Sequence, residues 1–275
     1  MAVSRRQELD IERDVAANLG RSAVNAARSG FYLDALGRRV DWGQAVQAAC
    51  AAKVSIRPDD PLPISTGVSV TETRVQVTNE TTLGAAFRFV SDGLRPLALN
   101  FANGIAPGGG FLAGAKAQEE VLCRSSALFL TLIDDPMYDE HRQRWRPDST
   151  DWVIYSPDVP VFRSEEGIPL ESPWLLSFLT CAAPYAPEIG QPEAGELLKQ
   201  RIARVLAVAR SYRYTALVLG AWGCGSFGND TRRTANDFRK ALEGEFAGAF
   251  SDVVFAISDW SPERRFLGPF RDAFV

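Results

Sequence analysis

Apolar residues recur along this chain with two periods, one near 3.6 and one of 2. Leu9, Val15, Leu19 and Val24 stand at helical spacing on a polar background, which predicts an amphipathic helix over 5–28. The stretch 30–42 predicts two short strands around a turn, and 45–53 a short helix. Further on, the period switches repeatedly. Val75 and Val77 predict a strand before a helix that starts near Thr81, and 97–101 predicts a strand before a helix over 117–133. Short apolar runs at 152–155 and 178–180 predict two more strands. Leu198, Ile202, Val205 and Ala209 mark one face of a helix over 194–211. A strand at 216–219, a helix over 231–250 and a strand at 253–257 complete the series. Alternation of this kind predicts an α/β fold, a sheet covered by helices on both faces.

The proline-rich stretch 58–63 is the candidate boundary. The piece before it is too small to hold a core alone. Residues 1–65 are therefore expected as an accessory layer of helices packed on a core of residues 66–275.

Composition narrows the function. With 46% apolar and 23% charged residues the chain supports a sizeable core. A net charge of −4 gives no support for nucleic-acid binding, sequence-specific or general. No apolar run approaches the roughly 20 residues that span a bilayer, and the first residues lack the apolar core of a signal peptide. Cys50, Cys123, Cys181 and Cys224 are scattered without a CxxC pair, and His141 is the one histidine. Neither a disulfide framework nor a zinc site is expected, and a reducing cytoplasm is the expected location. His141 stands among Asp139, Glu140, Arg142 and Arg144 and is expected to be solvated.

Two loops carry the candidate chemistry. Gly108-Gly109-Gly110 is followed, after seven residues, by Gln118-Glu119-Glu120 at the start of a helix. Glycines let backbone amides lie close to a ligand and take positive φ. Adjacent helical residues point about 100° apart, so the two carboxylates do different work. The plain alternative is an exposed ion pair of Glu120 with Lys116 or Arg124, four residues away on either side. The second loop runs from Gly220 to Asp230, between a strand and a helix, where amides and a helix N-terminus form an anion cradle. Its Gly223-Cys224-Gly225-Ser226-Phe227-Gly228 fits G-x-G-x-x-G, a weak signal alone. No Lys-Ser or Lys-Thr follows, so it is not a Walker loop. Dinucleotide binding wants an acid about 20 residues on, but Asp259 lies 31 residues past Gly228. A diphosphate cradle or a plain turn remains. Phe227 either covers a sugar or base face or packs downward. Arg232, Arg233, Arg239 and Lys240 are expected on a solvated helix face. Neither GxSxG nor HExxH occurs, and Cys224 has no basic partner in sequence.

These motifs resemble the poly(ADP-ribose) glycohydrolases, their shorter bacterial branch in particular. The glycine triplet, the spacer and Gln118-Glu119-Glu120 match that family's signature, and Gly225-Ser226-Phe227-Gly228 is similar to its diphosphate loop. The segment 100–103 resembles the strand end before the glycines, with Asn100 where the larger eukaryotic enzymes have Asp. The segments 79–86 and 156–162 also look like the bacterial branch, so the resemblance covers about residues 70–260.

The resemblance implies a macrodomain: a three-layer α/β/α fold with a mixed sheet, here under an N-terminal helical layer. It implies hydrolysis of the ribose–ribose O-glycosidic bond of poly(ADP-ribose), releasing ADP-ribose. Glu120 would be the general acid/base, which burial beside Glu119 would help to protonate, and Glu119 would hold ribose hydroxyls. Asn103 and Gln118 would help fix the ribose. The amides of Gly108, Gly109 and Gly110, with Gly223, Gly225, Ser226, Gly228 and Asn229, would hold ribose and diphosphate under Phe227. Partners would be poly(ADP-ribose) or ADP-ribosylated protein, with no membrane, no cofactor and no metal. The rival readings are an ADP-ribose reader, which has no use for Glu120, a hydrolase of single ADP-ribose units, and a nucleotide oxidoreductase.

Overall fold

The computed structural model describes residues 10–64 and 70–274. Helix α1 (Arg13–Ser29) leads to the ribbon β1 (Phe31–Leu33) and β2 (Arg39–Asp41), helix α2 (Gly43–Ala52) and strand β3 (Val54–Ile56). Strand β4 (Arg74–Thr78), helix α3 (Thr82–Ser91) and strand β5 (Pro96–Ala102) follow. Three short helices come next, α4 (Gln118–Ser125), α5 (Leu128–Leu132) and α6 (Pro136–Arg142). Strands β6 (Val153–Arg163) and β7 (Pro169–Ala182) form a long hairpin. The chain then alternates through α7 (Ala186–Ile189), α8 (Glu193–Ser211), β8 (Ala216–Leu219), α9 (Thr231–Glu243), β9 (Asp252–Ala256) and α10 (Leu267–Ala273).

Seven strands form one mixed sheet in the order β3-β6-β7-β5-β8-β9-β4. The strands from β7 to β4 are parallel to their neighbours, while β3, β6 and β7 pair antiparallel. The layers follow from period-2 alternation, which sends successive side chains to opposite faces. Leu97, Leu99, Leu217, Leu219, Val253 and Phe255 enter the core shared with α8, α9 and α10. Ala98, Ala216, Val218, Val254 and Ala256 enter the other, with α1 to α6. The expected three-layer architecture is thus present. Strand β5 lies between β7 and β8, and the loops leaving β5 and β8 emerge side by side at carboxyl ends, where open α/β sheets bind ligands. No helix of the described residues is long and apolar enough to cross a membrane.

Several elements differ from the sequence pattern. The first helix starts at Arg13; residues 5–9, Leu9 among them, lie outside the described residues. It buries Ala16, Ala17, Gly20, Ala23 and Ala27, while Val15 is exposed. Small residues win that face because α1 lies tight on the segment after the triple glycine: a Cβ on Gly20 would stand 2.8 Å from the Phe111 carbonyl oxygen. The helix expected over 117–133 breaks at Ser126, which is extended and bridges to Val161. Its hydroxyl donates to Leu122 O and accepts from Leu128 N, 2.7 and 3.1 Å. The strands expected at 152–155 and 178–180 extend to β6 and β7. Pro157 and Pro160 obscured the first, since proline cannot donate to a ladder. A register shift between Ser156 and Val159, with Asp158 at φ 48°, absorbs Pro157. The helix expected over 231–250 ends at Glu243, where Gly244 leaves helical geometry.

Candidate active site

A cavity of about 610 Å³ opens at the carboxyl ends of β5, β8 and β9, and Asn103, Gln118, Glu119 and Glu120 form one side of it. The β5 loop sets that side. Asn103 Oδ1 accepts from Ile105 N and Ala106 N, both 2.9 Å, and so turns the chain out of the sheet. Gly108 and Gly109 take φ 69° and 57°, and buried Phe111 anchors the end of the turn.

Gln118 fixes the helix that carries the acids. Strands β5 and β8 pair only from Pro96 to Ala98 and then part. In the gap Gln118 Nε2 donates to Leu99 O (2.7 Å) and to Thr82 Oγ1 (3.1 Å), and its Oε1 accepts from Phe101 N (2.9 Å). The amide replaces the missing ladder partner, which buried backbone groups require.

Both glutamates are buried. Glu119 Oε2 accepts from Asn103 N (2.7 Å) and Oε1 from Asn100 Nδ2 (3.3 Å); Asn100 also reaches Thr180. Glu120 Oε1 accepts from Gly110 N at 3.0 Å, while its buried Oε2 has no hydrogen-bond partner among the described residues. The exposed ion pair is absent: Lys116 binds Asp10 (2.7 Å) and Ile11 O, and buried Arg124 donates to Ala115 O. The triple-glycine amides stand behind the carboxylates: Gly110 holds Glu120, Gly108 holds Glu119, and Gly109 N donates to Ala106 O. A methyl group on Gly109 would collide with Glu120 Oε1 and come within 3.1 Å of Glu119 Oε2, so the two acids share one small space.

The β8 loop forms the opposite side, through Gly223, Gly225, Ser226 and Phe227. Gly220 lies so close to β9 that a Cβ would stand 2.7 Å from Ala256 O. Asn229 is buried and braces the loop, donating to Pro184 O and Gly223 O at 2.9 and 3.1 Å. Gly228, at φ 65°, closes the turn onto Gly225 O, and Asp230 caps α9 through Arg233 N. Among the described residues the N–H groups of Gly225, Ser226 and Phe227 have no acceptor. Phe227 is half-buried, edge-on to Tyr185 at 5.8 Å.

Glu80, Leu83, Trp260 and Phe266 also line the cavity. The 79–86 motif pointed at the first two without a role; nothing local marked the aromatics. Asp259 is no ribose ligand: its carboxylate accepts from Ser261 N, Phe266 N and Leu267 N, capping its own turn. Arg232 and Arg233 pair across the surface with Asp272 and Glu196.

His141 corrects the expectation of solvation. It is buried, with Nδ1 3.0 Å from Gly104 O and Nε2 2.7 Å from Thr150 Oγ1. Burial holds it down at about 4. Burial pushes the Glu119 carboxyl up to about 8; the Asn103 amide opposes this and the Glu120 charge adds to it. These shifts have opposite consequences for stability. Glu119 keeps a proton that the unfolded chain releases above 4.5, so its contribution is full below 4.5 and is lost as pH rises to about 8. The His141 contribution is full above 6.5 and is lost as pH falls to about 4. From pH 6.5 to 8 Glu119 therefore dominates this pair. The urea midpoint is expected to fall over that range, and Glu119→Gln to flatten the fall. An equal slope in the variant would contradict the assignment.

The model of one protein family, described as "Microbial-type PARG, catalytic domain", matches residues 20–164. No curated protein matches the chain. Among solved structures, poly(ADP-ribose) glycohydrolase (PARG) from Thermomonospora curvata is 39% identical, with a TM-score of 0.90, over 95% of this chain and 100% of that one. The same enzyme bound to the inhibitor ADP-HPD is 41% identical, with a TM-score of 0.88, over 94% and 99%. PARG from Deinococcus radiodurans in complex with ADP-ribose is 37% identical, with a TM-score of 0.75, over 83% and 96%.

Proposed function

The chain belongs to the microbial-type PARG family and is a poly(ADP-ribose) glycohydrolase, and we propose that Glu120 is its general acid/base. One observation carries this role: Glu120 Oε2 is buried at the cavity without a hydrogen-bond partner among the described residues, while Oε1 is pinned by Gly110. One oxygen is thus held and the other is free for the reacting bond.

In this reading one ADP-ribose unit occupies the cavity. The N–H groups of Gly225, Ser226 and Phe227 take its diphosphate, and Phe227 covers it. The terminal ribose lies at the carboxylates, where Asn103, its Oδ1 engaged by the loop, offers Nδ2 to a hydroxyl. Gly108, Gly109, Gln118, Gly223, Gly228 and Asn229 then act as positioning residues that shape the two loops. Burial keeps a proton on the Glu119 carboxyl near neutrality, so a proton is at hand in the small space that Glu119 shares with Glu120. Glu120 gives the proton to the glycosidic oxygen as the bond to the anomeric carbon breaks with oxocarbenium character. Water then attacks that carbon and returns a proton to Glu120. The products are ADP-ribose and a polymer one unit shorter.

Phe227→Ala is expected to weaken ADP-ribose binding by roughly three- to tenfold in calorimetry. Unchanged affinity would return that ring to the fold. Assays on long polymer and on singly modified protein separate the substrates: release from polymer supports the reading, and release from the singly modified protein alone favours the rival hydrolase. The same reading takes 1–65 as an accessory layer on the 66–275 core, except that its strand β3 joins the edge of the main sheet by pairing with β6. Contacts of Arg13 and Arg21 with Ala113 O and Leu112 O support it. It also takes the cytoplasm as the location, in keeping with four free cysteines.

A further inference from the structure

The polar stretch around His141 contains a side chain that the catalytic reading leaves unused. Trp145 is 88% exposed, between Arg144 and Arg146. The Arg146 guanidinium lies over its ring at 5.1 Å and is itself held by Glu193 and Asp148. Arg144 is likewise taken by Asp148, and Arg142 by Asp139. The indole is therefore backed by a fixed planar cation and otherwise open to water.

Its position is set by the two cavity loops. Arg142 donates to Ile105 O (2.6 Å), two residues from Asn103 in the β5 loop. Pro147 O accepts from Tyr185 N (3.0 Å), and Tyr185 packs on Phe227 of the β8 loop. The stretch 142–147 is thus tied to both sides of the cavity.

The chemistry on offer is a stacking face, not an anion clamp, because each neighbouring arginine already faces a carboxylate. Exposed aromatic faces of this kind hold bases of single-stranded nucleotide polymers with little regard to sequence. We propose that Trp145, backed by Arg146, stacks a purine base of an ADP-ribose unit outside the cavity, a second hold on the polymer. The proposal rests on the polymer reading above.

The test uses the full chain carrying Glu120→Gln, so that polymer stays intact, with Trp145→Ala and Trp145→Phe added. Binding is measured for long poly(ADP-ribose) and for ADP-ribose alone, at low and high salt. Trp145→Ala is expected to weaken polymer binding by roughly five- to a hundredfold at both salts. Trp145→Phe should recover most of the loss, and ADP-ribose affinity should not change. Unchanged polymer binding would overturn the proposal, as would equal loss on ADP-ribose alone. Loss confined to low salt would assign the effect to the arginines, and a dimer-to-monomer change would make the ring a self-association surface; either overturns it. Failure of the polymer reading looks different: the Glu120→Gln parent would then not bind polymer at all.

Discussion

Glu120→Gln is expected to slow polymer hydrolysis by roughly 10²–10⁴-fold, the range for loss of a general acid–base group, with ADP-ribose binding retained. The substitution is nearly isosteric. Gln keeps a carbonyl oxygen for Gly110 N, now 3.0 Å from Glu120 Oε1, so the loop and helix keep their relation. What disappears is a transferable proton at the free oxygen. The rate loss should fall on kcat, because in the proposed reading the diphosphate is held by the β8 loop, on the side of the cavity opposite Glu120. Turnover and calorimetry on the same preparation separate the two effects. Near-normal turnover would remove Glu120 from the chemistry.

Gly109→Ala should cost nearly as much, from a residue that need not touch substrate. Gly109 sits at φ 57°, where a Cβ costs an L-residue roughly 1–2 kcal/mol. The added methyl group would also strike Glu120 Oε1 and crowd Glu119 Oε2. The backbone on either side has no room to yield. Gln118 clamps the helix start to Leu99 and Phe101, and Phe111 is buried under α1. The carboxylates must move instead. A displacement near 1 Å in a catalytic group costs on the order of 10²-fold in rate. We expect kcat to fall by about that factor while a thermal melt shows the protein still folded. Activity within a fewfold of the parent would mean that the acids do not depend on this glycine.

The parts of the molecule that were legible in its sequence are those whose information is local. Short apolar runs in 97–101, 216–219 and 253–257 gave the parallel strands, because each is buried on both faces, with successive residues entering the two cores in turn. Glycines at fixed distance from Gln118-Glu119-Glu120 gave the acidic side of the cavity, since positive φ and a helix start are both short-range properties. What was hidden depends on distant partners. His141 looked solvated among charged neighbours, but Gly104 O and Thr150, outside its own helix, bury it. Asn100 meets Glu119 and Thr180 only when β5 and β7 pair. Trp260 and Phe266 reach the cavity only because Asp259 ties the turn between them. Nor does sequence say which way an amide points: the triple-glycine N–H groups turn to protein acceptors.

The most direct trial is to incubate the unmodified chain with poly(ADP-ribose) and size the products by chromatography over time. Accumulating ADP-ribose from shrinking polymer is the expected result. Polymer left at full length, on a protein that still binds ADP-ribose, would make the cavity a reader and contradict a proton-donating Glu120.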